Sequence, residues 1–145
     1  MAITTSMTTN FKVGLLNAEF DFSSDTAQVF KIALYTSDAS LGAATTAYTT
    51  SGEVASGAGY TTAGATLVIA TNPTSGGTVA YLDFSDVTWA AASFSARGAL
   101  IYLANGTTNP AIATIDFGAT VESSGGNFVV TFPIGDSANA IIRIS

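Results

Sequence analysis

The segment Val29-Phe30-Lys31-Ile32-Ala33-Leu34-Tyr35-Thr36 alternates with a period of two. In an extended chain Phe30, Ile32 and Leu34 fall on one face, and Lys31, Ala33 and Tyr35 on the other. Aromatic and β-branched side chains suit such a pleated surface, so the segment predicts a strand. Further strands are expected at residues 60–70, 78–84, 94–103, 111–117, 127–132 and 140–144. The run 94–103 is apolar or small except for Ser95 and Arg97, which places it centrally in a sheet. Turn residues separate the strands: Asn72-Pro73 with Gly76-Gly77, Asn105-Gly106, and Gly125-Gly126-Asn127. Asn105-Gly106 suits a two-residue type I′ hairpin, which needs positive φ at both central positions. Strands of this number and spacing predict an all-β fold, an antiparallel sandwich or a jelly roll.

One stretch has a helical period instead. Across residues 8–19, Phe11, Leu15, Leu16 and Ala18 recur at three to four residues, giving an apolar stripe that Ser6 or Thr8 would cap. Gly14 weakens the helix by up to about 1 kcal/mol relative to Ala. A helix this short is unstable alone in water, so its stripe must dock somewhere. The expectation is one domain over residues 1–145, with 1–24 as an N-terminal arm and short helix and 25–145 as the sandwich. Residues 1–19 are expected to attach to a neighbour rather than to complete the core, with Phe11, Leu15 and Leu16 as contact residues. Residues 37–59, rich in Ala, Ser, Thr and Gly, predict a long loop with a short helix near 41–46, again docking on a neighbour.

The 145 residues hold no His and no Cys, and 10% are charged, against roughly 25% in ordinary soluble domains. Without imidazole or thiol, the usual general base near neutral pH and the Ser-His and Cys-His pairs are missing. No catalytic, metal or cofactor-binding residue is therefore assigned, and no small-molecule substrate is expected. The net charge is −6, and Lys12, Lys31, Arg97 and Arg143 are scattered, unlike the clustered cations that neutralise phosphates. Direct nucleic-acid binding is not expected. The longest apolar runs fall short of the roughly 20 residues that span a bilayer. The first ten residues lack the basic flank and apolar run of a signal peptide. The expected product is thus made in a cytoplasm, has no membrane partner, and with mean hydropathy +0.43 carries apolar surface suited to other proteins.

Individual motifs have plain readings. Asp83-Phe84-Ser85-Asp86, with Asp116 from another strand, has the oxygen chemistry of a calcium loop, but a strand end with Asp86 in a turn accounts for it. The same acids do not form a recognisable glycosidase pair. Asn105-Gly106-Thr107 matches a glycosylation sequon, yet a hairpin turn explains those residues. Gly57-Ala58-Gly59 precedes a strand rather than a helix, the wrong context for binding phosphate. Trp89 and Phe94 flank an Ala-rich bend, and Trp89 is expected as a core or interface anchor. Arg97, inside an apolar strand, requires a partner. Asp83, Asp86, Asp116 or a subunit boundary would serve, and a buried pair of Arg97 with Asp83 or Asp116 is expected.

Taken in order, certain words form a pattern: Phe30-Lys31-Ile32-Ala33-Leu34-Tyr35-Thr36, Thr46-Ala47-Tyr48-Thr49-Thr50, Gly52-Glu53-Val54 and Gly57-Ala58-Gly59-Tyr60. Later come Asp83-Phe84, Val87-Thr88-Trp89, Ala96-Arg97-Gly98-Ala99-Leu100-Ile101-Tyr102, Asp116-Phe117-Gly118 and Ala140-Ile141-Ile142-Arg143-Ile144. From Phe11 onward the chain resembles a family of small virion structural proteins of tailed bacteriophages. It departs from that pattern at Gly64-Ala65, where Gly-Gly is more usual, and at Leu103, where Asn is. The resemblance implies a non-enzymatic virion protein. Its implied role is capsid decoration, or cementing, on the head surface, with the major capsid protein and copies of itself as partners. The alternative is a tail, fibre or tail-tip component contacting the host surface.

Overall fold

In chain order the elements are β1 (Ser6–Met7), α1 (Thr9–Leu16), β2 (Phe30–Tyr35), β3 (Ala65–Thr66), β4 (Ile69–Gly76), β5 (Val79–Phe84), β6 (Val87–Ala92), β7 (Ser95–Leu103), β8 (Ala111–Glu122), β9 (Gly126–Val130) and β10 (Ile142–Ile144). They belong to a computed structural model that describes residues 2–145; Met1, the first residue of the expected arm, lies outside the described residues. Strand accounts for 46% of the chain and helix for 6%, which makes the fold all-β. Five strands form one sheet in the order β1-β8-β7-β2-β3, three form β10-β5-β4, and two form β6-β9. Every pairing between these strands is antiparallel, and the isolated bridge of Ile3 to Leu41 is parallel.

The alternation of β2 decides how these sheets pack. Phe30, Ile32 and Leu34 enter the main core with Ala99, Ile101 and Leu103 of β7, Leu82 and Phe84 of β5, Trp89 of β6 and Phe128 of β9. This core lies between the five-stranded sheet and the two smaller ones. Ala33 and Tyr35 face the other way, into a second core with Leu100, Tyr102, Ile3, Ala39 and Leu41. Strand β7 sits between β2 and β8 and is covered on both faces, which explains its nearly unbroken apolar run. Each Leu or Ile so covered contributes about 1.5–3 kcal/mol.

The N-terminal arm belongs to these cores, contrary to the expectation that it would not complete them. Ile3 pairs with Leu41, β1 extends the large sheet along β8, and Thr8 is fully buried. The Thr8 hydroxyl donates to the carbonyl of Ala111 (2.9 Å) and accepts from the N–H of Phe11 (3.0 Å), capping α1 while tying it to β8. Phe11 is fully covered, edge-on to Phe20 at 4.9 Å. Gly14 is required here, because a Cβ would run into the Phe20 ring. Phe11 and Leu15 of the stripe thus dock within the molecule, whereas Leu16 is left outside, and burial of Phe11 is the physical reason that it is not free for a neighbour.

Other boundaries also move. Residues 37–59 contain no helix and fold back on their own domain, burying Ala39, Leu41 and Val54. Asn72-Pro73 lies inside β4 rather than in a turn. It falls at a register shift on a sheet edge, where the missing proline N–H is tolerated. Residues 60–64 turn before a short β3, and β6 occupies the Ala-rich stretch read as a bend. Asn105-Gly106 opens a wider loop: the Asn105 side-chain carbonyl accepts from the N–H groups of Thr107, Thr108 and Asn109 at 2.9–3.1 Å, and positive φ falls on Gly106 and Asn109.

Phe11→Ala should lower the unfolding free energy by about 3–5 kcal/mol in urea titration, whereas Leu16→Ala, at an exposed site, should stay within about 0.5 kcal/mol. Removal of residues 2–10 should abolish cooperative melting.

Candidate functional site

A dense polar cluster lies where residues 47–64 meet the β2 edge of the large sheet. Strand β3 ends before reaching Leu34, leaving that residue's backbone groups without a strand partner. The Leu34 N–H donates to the Tyr60 hydroxyl (2.9 Å), and its carbonyl accepts from the Val54 N–H (2.9 Å). Tyr60 donates in turn to Glu53 Oε1 (2.7 Å), which also accepts from the Ala63 N–H (2.7 Å). Tyr48 donates to Glu53 Oε2 (2.6 Å). Tyr35 and Tyr102 donate to the carbonyls of Thr49 and Ala63, and Tyr48 stacks on Tyr102 at 4.7 Å. Gly64, at φ +73°, brings the chain so close to β2 that a Cβ would strike the Ile32 carbonyl. Burial pushes the Tyr102 phenol up to about 12, helped by the Glu53 charge. It likewise raises Tyr35, Tyr48 and Tyr60. These phenols are therefore neutral donors that pin residues 47–64, not nucleophiles. Sequence reasoning missed this network, although Tyr48, Glu53 and Tyr60 all stand in the words that carry the family resemblance.

Of the expected buried pair, the structure brings together Arg97 and Asp116 only. Arg97 Nε donates to Asp116 Oδ1 at 2.8 Å and Nη2 to Oδ2 at 3.3 Å. The side chains are 34% and 26% exposed, so the pair is not buried. Between Ala96↔Val121 and Gly98↔Asp116, β8 carries three more residues than β7. Asp116 Oδ1 also accepts from the Gly118 N–H (2.9 Å) at the start of this bulge. Hydrogen bonding to Arg97 holds the Asp116 carboxyl below the usual range and raises the guanidinium. The pair thus shapes a bulge at the sheet surface, which explains how an Arg fits into an otherwise apolar strand.

Asp83 is elsewhere, on β5 and 8% exposed, with Oδ1 bonded to nothing among the described residues. Asp86 accepts from the Phe132 N–H at 2.9 Å. No cluster of three or more His, Cys, Asp or Glu able to hold a metal occurs among the described residues.

The expected contact residues divide. Phe11 and Trp89 are interior, Trp89 lying edge-on to Phe128 at 6.1 Å. Leu15 is half-buried on the main core, and its place there reflects the same docking of α1. Leu16 projects outward at 89% exposure, beside Val13. Elsewhere Val68, Val129 and Ile134 stand exposed. An open apolar groove of about 350 Å³ is lined by Ile115, Phe117, Val121, Phe128, Val130 and Phe132.

No protein-family model matches this chain, and neither a curated protein nor a solved structure is similar to it.

Because the four raised phenols ionise less readily folded than unfolded, their contribution is complete below about pH 10 and is lost as pH rises toward their folded values. Melting temperature should fall steeply above that point, with tyrosinate absorbance appearing together with unfolding. Tyr60→Phe, which strips Leu34 N–H and Glu53 of a partner, should cost about 1–3 kcal/mol at neutral pH.

Proposed function

We propose that this protein is a non-enzymatic structural component of a phage particle, a decoration protein that binds and bridges major capsid subunits. The observation that carries the reading is the division of labour among its side chains. Several carboxylates that could attract a ligand are engaged by the chain's own groups: Glu53 by two tyrosines and a backbone N–H, Asp116 by Arg97 at the sheet surface, and Asp86 by the Phe132 N–H. The exposed surface instead offers large aliphatic side chains, with Leu16, Ile134, Val68 and Val13 all more than half exposed. Val13 and Leu16 stand three residues apart on α1, and exposed apolar surface grouped in this way favours contact with other proteins. A capsid lattice provides repeated, flat protein surface, and binding to it requires no chemistry. The resemblance of the sequence words to small tailed-phage virion proteins agrees with this. The −6 charge argues against a site on packaged DNA.

Labelled protein added to particles that lack it should bind the head shell in electron micrographs, at positions repeating with the capsid lattice. Leu16→Ser combined with Ile134→Ser should reduce occupancy while leaving the melting temperature within a few degrees. Label confined to the tail tip would replace this reading by the host-contact one.

A further inference from the structure

Asp83 stands out among the described residues as the buried side chain with an oxygen that bonds to nothing. It sits where β4 is most irregular. Ile69 pairs with Phe84, Thr71 with Asp83 and Thr74 with Tyr81, with a register shift on each side of the Thr71–Asp83 pair. Such paired bulges re-aim side chains. Residues 132–140 lie over this irregularity. A Cβ on Gly135 would sit 2.8 Å from Thr71 Oγ1 and 3.1 Å from Asp83 Oδ2, and one on Gly76 would sit 2.7 Å from the Ser137 Cβ. The covering segment thus runs along β4 from Thr71 to Gly76.

Its attachment is weak except at its ends. Phe132 and Ala140 are buried, and the Phe132 N–H is held by Asp86. Between them, the described backbone hydrogen bonds stay inside the segment: Asp136 N–H to the Ile134 carbonyl, and Ala140 N–H to that of Asp136. The Asp136 carboxylate closes the same turn by accepting from the N–H groups of Ala138 and Asn139. Apart from one long hydrogen bond at the exposed surface, from Arg143 Nη1 to the Ser137 carbonyl at 3.5 Å, residues 133–139 rest on β4 and β5 through side-chain packing, the kind of unit that opens before the rest of a fold.

We propose that the Asp83 carboxyl is a proton-operated latch for residues 132–140. Protonated, it is a neutral group that can remain covered. Ionised, it is a charge beneath the segment with one oxygen unpaired, and lifting the segment lets water reach it. The charges around it do not relieve this. Strand β4 carries none. The β5–β6 turn contributes Asp86, of the same sign, while residues 132–140 contribute Asp136, whose carboxylate is already engaged. Arg143 of β10 acts on Asp136, not on Asp83. Burial pushes the Asp83 carboxyl up and Asp86 adds to it, against the Phe84 N–H. A carboxyl raised on folding stabilises the closed form below its unfolded value. That stabilisation is lost as pH rises through its folded value, so the segment opens with rising pH.

The test follows two signals in the intact protein by NMR. The first is the Asp83 carboxyl carbon, and the second is the exchange protection of the Asp136, Ala138, Asn139 and Ala140 amides, with intrinsic rates divided out. From about pH 4 to about pH 8, above the ordinary Asp value, wild-type protection should fall with the midpoint of the Asp83 titration. Asp83→Asn should hold protection flat at the acid level, and Asp86→Asn should move the midpoint to lower pH. An Asp83 midpoint at or below the ordinary value, or protection independent of pH in the wild type, would overturn the latch. So would loss of protection in Asp83→Asn at every pH, or an Asp83 resonance moved by added Ca²⁺, which would make the residue a metal ligand.

Discussion

Burial of both faces of the central strands is the constraint from which the rest of the structure follows. Strand β2 sends Phe30, Ile32 and Leu34 one way and Ala33 and Tyr35 the other, and β7 does the same with Ile101 and Tyr102. A sheet covered on one side needs only an opposing sheet, supplied here by β10-β5-β4 and β6-β9. A sheet covered on two sides needs a second lid, and among the described residues no further sheet provides it. The lid is irregular backbone, the arm at Ile3 with Ala39, Leu41 and Tyr48, while Val54 and Tyr60 reach around the sheet edge to the main core. Irregular backbone under cover leaves polar groups to be satisfied. The tyrosines and Glu53 meet that demand, turning a loop into a fixed layer.

The same economy governs the few charges. Four cations and ten acids leave little scope for surface ion pairs, and Arg97–Asp116 contributes geometry more than stability, since partly exposed pairs are weak. It sets the bulge of β8 that faces the apolar groove. The edge of the three-stranded sheet is blunted differently, by Pro73 and two register shifts in β4, which discourage an incoming strand. Bulges and short strands thus break up the exposed sheet edges, while aliphatic side chains such as Leu16 and Ile134 remain outside.

Much of the strand content was legible because a period of two needs no tertiary information. Residues 30–35, 79–84 and 95–103 fall where alternation or a continuous apolar run placed them, and β7 is central as expected. Strand β6 was not legible: Val87–Ala92 ends in three alanines, and Ala91 has positive φ at a bulge, so its pattern is broken where it would be read. The Asn72-Pro73 signal was misleading for a similar reason, since proline marks either a turn or an edge-strand bulge and the dipeptide does not distinguish them. Arg97 had a partner as argued, but three candidate acids were equivalent until β7 and β8 were set in register.

By itself the sequence determined the all-β class, the single capped helix, the faces of β2 and the poverty of groups for acid–base chemistry. These depend on local periodicity and on residue type, which the chain carries at every position. Only the tertiary structure decided that Phe11 and Trp89 are core, that Leu16 is not, that Glu53 is a hub and that Asp83 lies covered and half-unpaired. An apolar stripe states that it must be buried without saying against what, and a carboxylate's role depends on neighbours that are distant in sequence. Thr8 and Ala111, 103 residues apart and joined by one hydroxyl, are set side by side only when the sheet closes.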